Sequence, residues 1–450
     1  MAGRAVTARE AALQALYRLE QEGAFLNLAL PPLLEKLPPP ERALARELAF
    51  GTVRRRNTLD WALGLFLKHP LEKMTPWMRN LLRMGAYQLL YLERVPPHAA
   101  VDETVKLAHR YGHRGVAGLA NAVLRRLAAA AGDLPWPDPS RRPTDHLALR
   151  ESHPPWLVER WRQRFGLEEA RLLCQANNLP PPVALRPNRL RIDPAALKEI
   201  LAAEGVSASF SPRLPGVLLA KAERPVSSLD SFRQGLFTVQ GESSILVAPL
   251  LQPQAGEHIV DLCSAPGGKS THLAELMGDC GRVTAVDIHP HRLKLVEQAA
   301  QRLGLASIKT LLADGRQIAS AGLPAPQRLL VDAPCSGLGV IRRLPELKWR
   351  RRPAEPAEMA RLQLELLEAA AALLRPGGML LYSVCTFEPE ETAAVVQAFR
   401  AAHPCFRPLP LEQLLPPELG KAESAPAGGI YLYPHRHGLD GFFMALWRRE

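Results

Sequence analysis

The run His258-Ile-Val-Asp-Leu-Cys-Ser-Ala-Pro-Gly-Gly-Lys-Ser270 decides how the second half of this chain reads. His258–Leu262 is a short apolar strand, and Thr271–Leu276 continues as a helix. Between them Gly267 and Gly268 allow a tight turn at the strand's C-terminal end and a close approach of backbone to a ligand. The run is neither the GxGxxG of dinucleotide folds nor the GxxxxGK[ST] of nucleoside-triphosphate loops. Asp287 closes the next apolar run, Val283–Asp287, where an acid accepts hydrogen bonds from ribose hydroxyls. A nucleoside ligand without a pyrophosphate, such as S-adenosylmethionine, fits this pattern better than NAD or ATP.

Two more apolar runs, Leu329–Asp332 and Met379–Tyr382, follow with helix-like stretches between them. This alternation predicts a parallel sheet wrapped by helices, a Rossmann-like α/β domain over 236–450, with a Pro-rich loop at 407–427. Both runs are followed at once by a cysteine. Cys335 lies in Leu329-Leu-Val-Asp-Ala-Pro-Cys-Ser-Gly-Leu-Gly339, and Cys385 in Leu380-Leu-Tyr-Ser-Val-Cys-Thr-Phe-Glu-Pro-Glu390. A lone cysteine is usually a small buried hydrophobe. Two of them at two strand ends, beside a ligand loop, point to nucleophilic chemistry, which needs local help to lower the thiol pKa or remove its proton. Position alone does not say which sulfur attacks. Cys263 reads as packing around the ligand, and Cys174, Cys280 and Cys405 as ordinary thiols. His435 and His437 have only Asp440 close by, too poor a set for a metal, and no metal is expected. The basic run Ile341–Arg352 reads either as a solvated face or as a phosphate contact at the rim of the site.

Upstream, apolar residues recur at helical spacing through residues 1–130, as in Leu59, Leu63, Phe66 and Leu67 and in Met78, Leu81, Leu82, Leu89 and Leu90. Residues 131–150, with Pro135, Pro137, Pro139 and Pro143, read as a linker, and 151–235 as a small mixed α+β segment. Met1-Ala2-Gly3-Arg4 lacks the apolar core of a signal peptide, and Thr7 with Glu10 forms a capping box ahead of an amphipathic helix. The expectation is a cytoplasmic chain with reduced thiols.

The 450 residues are 47% hydrophobic, which supports several packed cores, and no apolar run approaches the length of a membrane span. Six irregularly spaced cysteines make no disulfide framework. The net charge of +11 favours an anionic partner. Residues 1–150 carry 22 Lys/Arg against 14 Asp/Glu, so most of the excess lies in the first third, and nucleic acid is the leading partner.

The chain resembles the RsmB (Sun/Fmu) 16S ribosomal RNA cytosine-C5 methyltransferases, within the wider Sun family. The resemblance rests on the SAPGGKS, DAPCSG and VCTFEPEE runs. Ala45–Leu63 and Val95–Leu127 resemble a NusB-type RNA-binding domain. Ser152–Leu157 and Leu185-Arg-Pro-Asn188 resemble the family's middle segment, Gly235–Glu242 the entry to its catalytic domain, and His437–Phe443 its closing motif. It implies that Cys263, Ser264, Ala265, Pro266, Gly267, Gly268 and Lys269 line an S-adenosylmethionine site, that Asp287 holds the ribose, and that Asp314 lies near the adenine. It also implies Asp332 beside the methyl donor and the target base, Cys385 as nucleophile, and Cys335 as the residue assisting product release. The chain departs from the pattern at Val384, where the family usually has Thr, and at Ser264, usually Ala. The implied partner is 16S rRNA, free or in a partly assembled small subunit, acted on by a monomer. The alternatives are the same chemistry on tRNA or another rRNA site, or a non-catalytic RNA-binding assembly factor.

Overall fold

Thr7 starts the first helix, its hydroxyl accepting the Glu10 N–H at 3.2 Å. The reciprocal half of the expected capping box does not form. Glu10 is instead buried, and its carboxylate takes Tyr111 Oη at 2.7 Å and the Arg110 guanidinium at 2.5 Å, partners about a hundred residues away that no local pattern reveals. The computed structural model describes residues 6–221 and 225–450, so Met1-Ala2-Gly3-Arg4 lies outside the described residues. The chain divides into two compact units, one running to Leu179 and including Arg343–Arg350, the other Pro180–Arg342 and Arg351–Glu450.

The first unit is helical. Its main helices are Ala8–Gln21, Pro39–Arg54, Arg56–Gly64, Pro76–Tyr91, Pro97–Tyr111 and Arg114–Ala130. Pro76 and Pro97 stand at first helical positions, where a missing N–H costs nothing. The periodic leucines form the core: Leu59, Leu63 and Leu82 are fully buried, and Leu81 nearly so. Helix Pro143–Arg150 lies inside the stretch read as linker, and Pro155–Phe165 and Leu167–Asn177 follow in the same unit, separated at Gly166.

Much of the basic run after Cys335 is inward-facing. Within the first unit Lys348 is fully buried, its Nζ donating to Arg54 O at 3.0 Å and Asn178 Oδ1 at 3.4 Å. Trp349 Nε1 donates to Val53 O at 2.7 Å, Arg350 to Ala24 O at 2.6 Å, and Glu346 accepts the Leu26 N–H at 2.9 Å. The donors of Lys348, Trp349 and Arg350 are spent inside the protein, mostly on backbone carbonyls, so neither a solvated face nor a phosphate contact describes them.

The second unit holds two sheets. Strands β1 (Val183–Pro187), β2 (Ser207–Phe210), β3 (Leu218–Lys221) and β4 (Phe237–Val239) form an antiparallel sheet ordered β2-β3-β1-β4, with Leu185, Leu197, Leu201, Leu218 and Phe237 buried in its core. The larger sheet contains β5 (His258–Leu262), β6 (Arg282–Asp287), β7 (Ile308–Leu312), β8 (Arg328–Asp332), β9 (Met379–Val384), β10 (Phe406–Pro408), β11 (Glu423–Ser424), β12 (Ile430–Leu432) and β13 (Phe442–Arg449). Its order is β11-β12-β13-β9-β8-β5-β6-β7, with β10 on β13. Strands β5 to β9 pair in parallel, as their apolar runs predict, while β13 adds antiparallel to β9. The order reverses at β5, whose neighbours are β6 and β8. In such sheets the ligand crevice opens at the C-terminal ends of the strands flanking that switch.

The Leu185-Arg-Pro-Asn188 motif fastens the small sheet to this crevice. Buried Arg186 donates to Gln240 Oε1 (2.6 Å), Gly268 O (2.7 Å), Thr271 Oγ1 (3.1 Å) and Glu275 Oε1 (2.9 Å). Asn188 donates to Gly235 O and Leu303 O, both at 3.1 Å.

Candidate active site

The loop after β5 curls because Cys263 takes φ +62° and Gly267 φ +99°. At Gly267 a Cβ would lie 3.0 Å from Val296 Cα, so the glycine serves both the turn and the close packing. Ser264 N donates to Val286 O and Gly267 N to Ser264 O, each at 2.8 Å, while Arg292 reaches Ala265 O at 3.2 Å. The helix Gly268–Leu276 then points its first turn at the crevice end of the sheet.

Asp287 ends β6 almost fully buried. Its Oδ1 accepts the His289 N–H at 2.9 Å, and its Oδ2 has no hydrogen-bond donor, with Arg292 3.7 Å away. Ser264 Oγ is likewise buried without a hydrogen-bond partner among the described residues. Beside Asp287 stand two exposed apolar side chains that sequence reasoning missed: Ile288, the next residue, and Leu312, paired in register with Asp287 at the end of β7. An apolar residue straight after the acid was the available signal. An acceptor short of a donor, next to an apolar wall and a glycine loop, fits a ribose and its flat base. Asp314 caps the following turn and pairs with Arg316 at 2.6 Å, and that guanidinium holds its carboxyl below the usual range. Asp261, fully buried at the end of β5, accepts from Ser270 Oγ at 2.6 Å, and burial raises its pKa to about 7.

At the end of β8, Asp332 receives Lys269 Nζ on Oδ2 and Ser383 Oγ on Oδ1, both at 2.5 Å. Burial alone would lower the ammonium's pKa, but Asp332 outweighs it and keeps Lys269 above its ordinary value. Register puts Asp332 opposite Ser383 on β9. Two residues further along β9's exit is Cys385, and its sulfur lies 3.2 Å from Cys335 Sγ. The hydrogen bond to Cys385, then burial, pushes the Cys335 thiol well above its usual value. Cys263 is raised to about 12 by burial and by the carboxylates of Asp332, Asp261 and Asp287, in keeping with a packing thiol. The structure thus brings Lys269, Asp332, Cys335 and Cys385 together, with Asp287 and the glycine loop on neighbouring strand ends.

Glycine contacts explain the closing motif. Gly339 N donates to Cys385 O at 3.0 Å, and Gly441 N to Gly339 O at 2.7 Å. A Cβ on Gly339 would fall 2.0 Å from Gly441 O, so the two cysteine loops and the Gly441 turn meet backbone to backbone. Val384 is fully buried and pairs with Phe443, so its apolar side chain is packed. His437 accepts the Tyr433 N–H at 2.9 Å within its own turn. Among the described residues no cluster of three His, Cys, Asp or Glu is placed to hold a metal, and no helix is long and apolar enough to cross a membrane.

A family model described as 16S rRNA methyltransferase RsmB/F matches residues 248–448, a NusB family model matches 6–129, and an RsmF/B-like ferredoxin-like domain matches 153–227. The chain is 40% identical over 448 residues to the probable ribosomal RNA small subunit methyltransferase B of Bacillus subtilis, covering 98% of each. It is similar to the crystal structure of PH0851, with a TM-score of 0.85, 28% identity and 98% of both chains covered. It is also similar to NSun6 from Pyrococcus horikoshii with SFG, with a TM-score of 0.59, 25% identity, and coverage of 66% of this chain and 99% of that one.

Proposed function

The chain belongs to the ribosomal RNA small subunit methyltransferase B family, and we propose that it methylates C5 of one cytosine in 16S rRNA through a covalent bond between Cys385 and C6. Methylation in this family draws on S-adenosylmethionine, which when bound supplies an electrophilic methyl group on a sulfonium. Asp287 Oδ2, which receives no hydrogen bond among the described residues, the Gly267 turn and the apolar Ile288 and Leu312 support its placement over the ends of β5, β6 and β7, with Cys263 to Lys269 lining it, Asp287 on the ribose and Asp314 near the adenine.

The single observation that carries the reading is the pair of sulfurs 3.2 Å apart, next to a charged Lys269–Asp332 pair. Cytosine C5 is a poor nucleophile until a thiolate adds at C6. In this reading Cys385 makes that bond. The displaced electron pair is stabilised by hydrogen bonding at the base's N3 edge from the Lys269–Asp332 pair. C5, now enamine-like, is the atom that takes the methyl group. The adduct then holds both a hydrogen and a methyl at C5.

Release needs a base, and Cys335, its sulfur 3.2 Å from that of Cys385, is the group beside the adduct. The hydrogen bond to Cys385 is the largest influence holding the proton on Cys335. In this reading the Cys335 proton passes to water once Cys385 is bonded to carbon. The Cys335 thiolate then takes the C5 proton, C5=C6 re-forms, the C6–Sγ bond breaks, and Cys385 leaves as thiolate. The base must be out of any helical stack to be reached.

The test is incubation with labelled S-adenosylmethionine and unmodified 16S rRNA, free and in small-subunit particles, beside 23S rRNA and bulk tRNA, with bisulfite mapping of methylated cytosines. Labelling of one 16S cytosine supports the reading. Labelling of tRNA or 23S rRNA alone refutes the substrate. Binding of S-adenosylmethionine without labelling of any RNA points to an assembly role.

A further inference from the structure

The loop carrying Cys335 is gripped at the residues on both sides of it. Gln363 Nε2 donates to Pro334 O at 2.9 Å. Ser336 N donates to Glu391 Oε1 at 2.7 Å and Ser336 Oγ to Glu391 Oε2 at 2.5 Å, while Arg351 Nε donates to Ser336 O at 2.5 Å. Gln363 also donates to Glu391 Oε1 at 3.1 Å. Tyr382 Oη joins the two by donating to Gln363 Oε1 at 2.9 Å and Glu391 O at 2.7 Å. Glu391, Gln363, Ser336 and Tyr382 are all completely buried, and none of them belongs to the ligand loop or the sulfur pair.

A fully buried carboxyl group must earn its place through hydrogen bonds, since its desolvation is costly. Three donors converge on Glu391, and two of them come from the residue next to Cys335. We propose that Glu391 is a positioning residue for product release, holding Ser336 so that the Cys335 sulfur stays beside Cys385. The inference rests on the reading of Cys335 as the base of the release step. Burial raises the Glu391 pKa to about 7, against the pull of its bonds from Ser336 and Gln363. The arrangement serves either protonation state: a protonated Oε2 can donate to Ser336 Oγ, which in turn reaches Thr386 Oγ1 at 3.2 Å.

The consequence separates the two halves of the reaction. Without Glu391 the nucleophile keeps its place at the end of β9 and Asp332 its bonds from Lys269 and Ser383, so bond formation and methyl transfer proceed. Release slows, because a base displaced by about 1 Å loses up to about a hundredfold in rate.

The experiment compares wild type, Glu391→Ala, Glu391→Gln, Ser336→Ala and Cys335→Ala in full-length protein with unmodified 16S rRNA. It follows single-turnover methyl incorporation, multiple turnover, the KM for S-adenosylmethionine, and covalent RNA–protein adduct on denaturing gels. Glu391→Ala is expected to lower multiple turnover at least about tenfold, to leave single-turnover incorporation and KM within about threefold, and to accumulate adduct as Cys335→Ala does. Glu391→Gln keeps an acceptor for Ser336 N and is expected to restore most turnover. If Glu391→Ala yields no folded protein, Ser336→Ala, which removes only the hydroxyl bond, is expected to give a weaker accumulation of adduct. Adduct with Cys335→Ala but none with Glu391→Ala or Ser336→Ala overturns the positioning role alone. No adduct with Cys335→Ala overturns the release reading and the proposal with it. A rise in KM with no adduct marks Glu391 as merely structural and also overturns it.

Discussion

Two buried lysines of this chain carry opposite lessons. Lys269 lies on the ligand loop against Asp332, which holds its ammonium above the ordinary value despite burial. Lys348, in the helical unit, donates to Arg54 O and Asn178 Oδ1 and lies over the Trp349 ring at 5.0 Å, and burial, with Arg55 and Arg54 adding to it, drives its pKa well below the ordinary value. One is a charge kept ready in a site, the other a donor in a core where burial disfavours its charge. What separates them is a carboxylate within bonding distance, since a buried charge persists only where it is paired.

The largest effect should come from breaking the paired lysine. Lys269→Met is expected to lower turnover by about 10²–10³-fold, the usual cost of removing one preorganised electrostatic group. Asp332→Asn should do the same, and the double variant should lose little more than either single one if the two act as a unit. Lys348→Met should stay within about twofold of wild type in the same assay, since lysine there donates only to protein. Equal losses from Lys269→Met and Lys348→Met would erase the distinction.

A second contrast, between two glycines, is smaller. Gly339→Ala puts a methyl 2.0 Å from Gly441 O and should displace both cysteine loops, lowering turnover about 10- to 100-fold. Gly118, exposed in the helix Arg114–Ala130, has nothing within 4 Å of an added Cβ. Gly118→Ala should raise stability by about 0.5–1 kcal/mol with activity unchanged. Thermal melts beside initial rates check both.

The smallest effect is a pH slope. Between the low folded value of Lys348 and about 10.4, the unfolded chain binds a proton that the folded chain does not, so stability rises with pH. Arg54, Arg55, Glu151, His153 and Cys174 are the titratable groups that interact with Lys348 or its bonding partners. Lys348→Met removes the slope, so wild-type stability should rise relative to that of the variant as pH is raised from 7 towards 10. Denaturant midpoints for both proteins across that range measure it, and a wild-type stability that stays level or falls relative to the variant contradicts a Lys348 pKa held down by burial.

The strands were legible because each is a short apolar run ended by a turn signal: His258–Leu262 appears with the bounds its sequence indicates, and β6, β8 and β9 differ by one or two residues. The strand ends, and with them Asp287, Asp332, Cys335 and Cys385, followed from that. Two things were not legible. The fate of Lys348, Trp349 and Arg350 depends on carbonyls some three hundred residues earlier, and local charge density cannot report it. Glu391, Gln363 and Tyr382 support Cys335 across gaps of up to 55 residues, and each looks locally like an ordinary helix or strand residue. Periodicity reveals which face is buried; it does not reveal which polar groups meet inside.

The most direct test of the account is to digest the covalent complex that Cys335→Ala forms with 16S rRNA and identify by mass spectrometry the peptide carrying the nucleotide. The account predicts a methylated cytosine bonded to the peptide containing Cys385, and no complex when Cys385→Ala is added. A nucleotide on any other residue, or a complex that survives loss of Cys385, would contradict it.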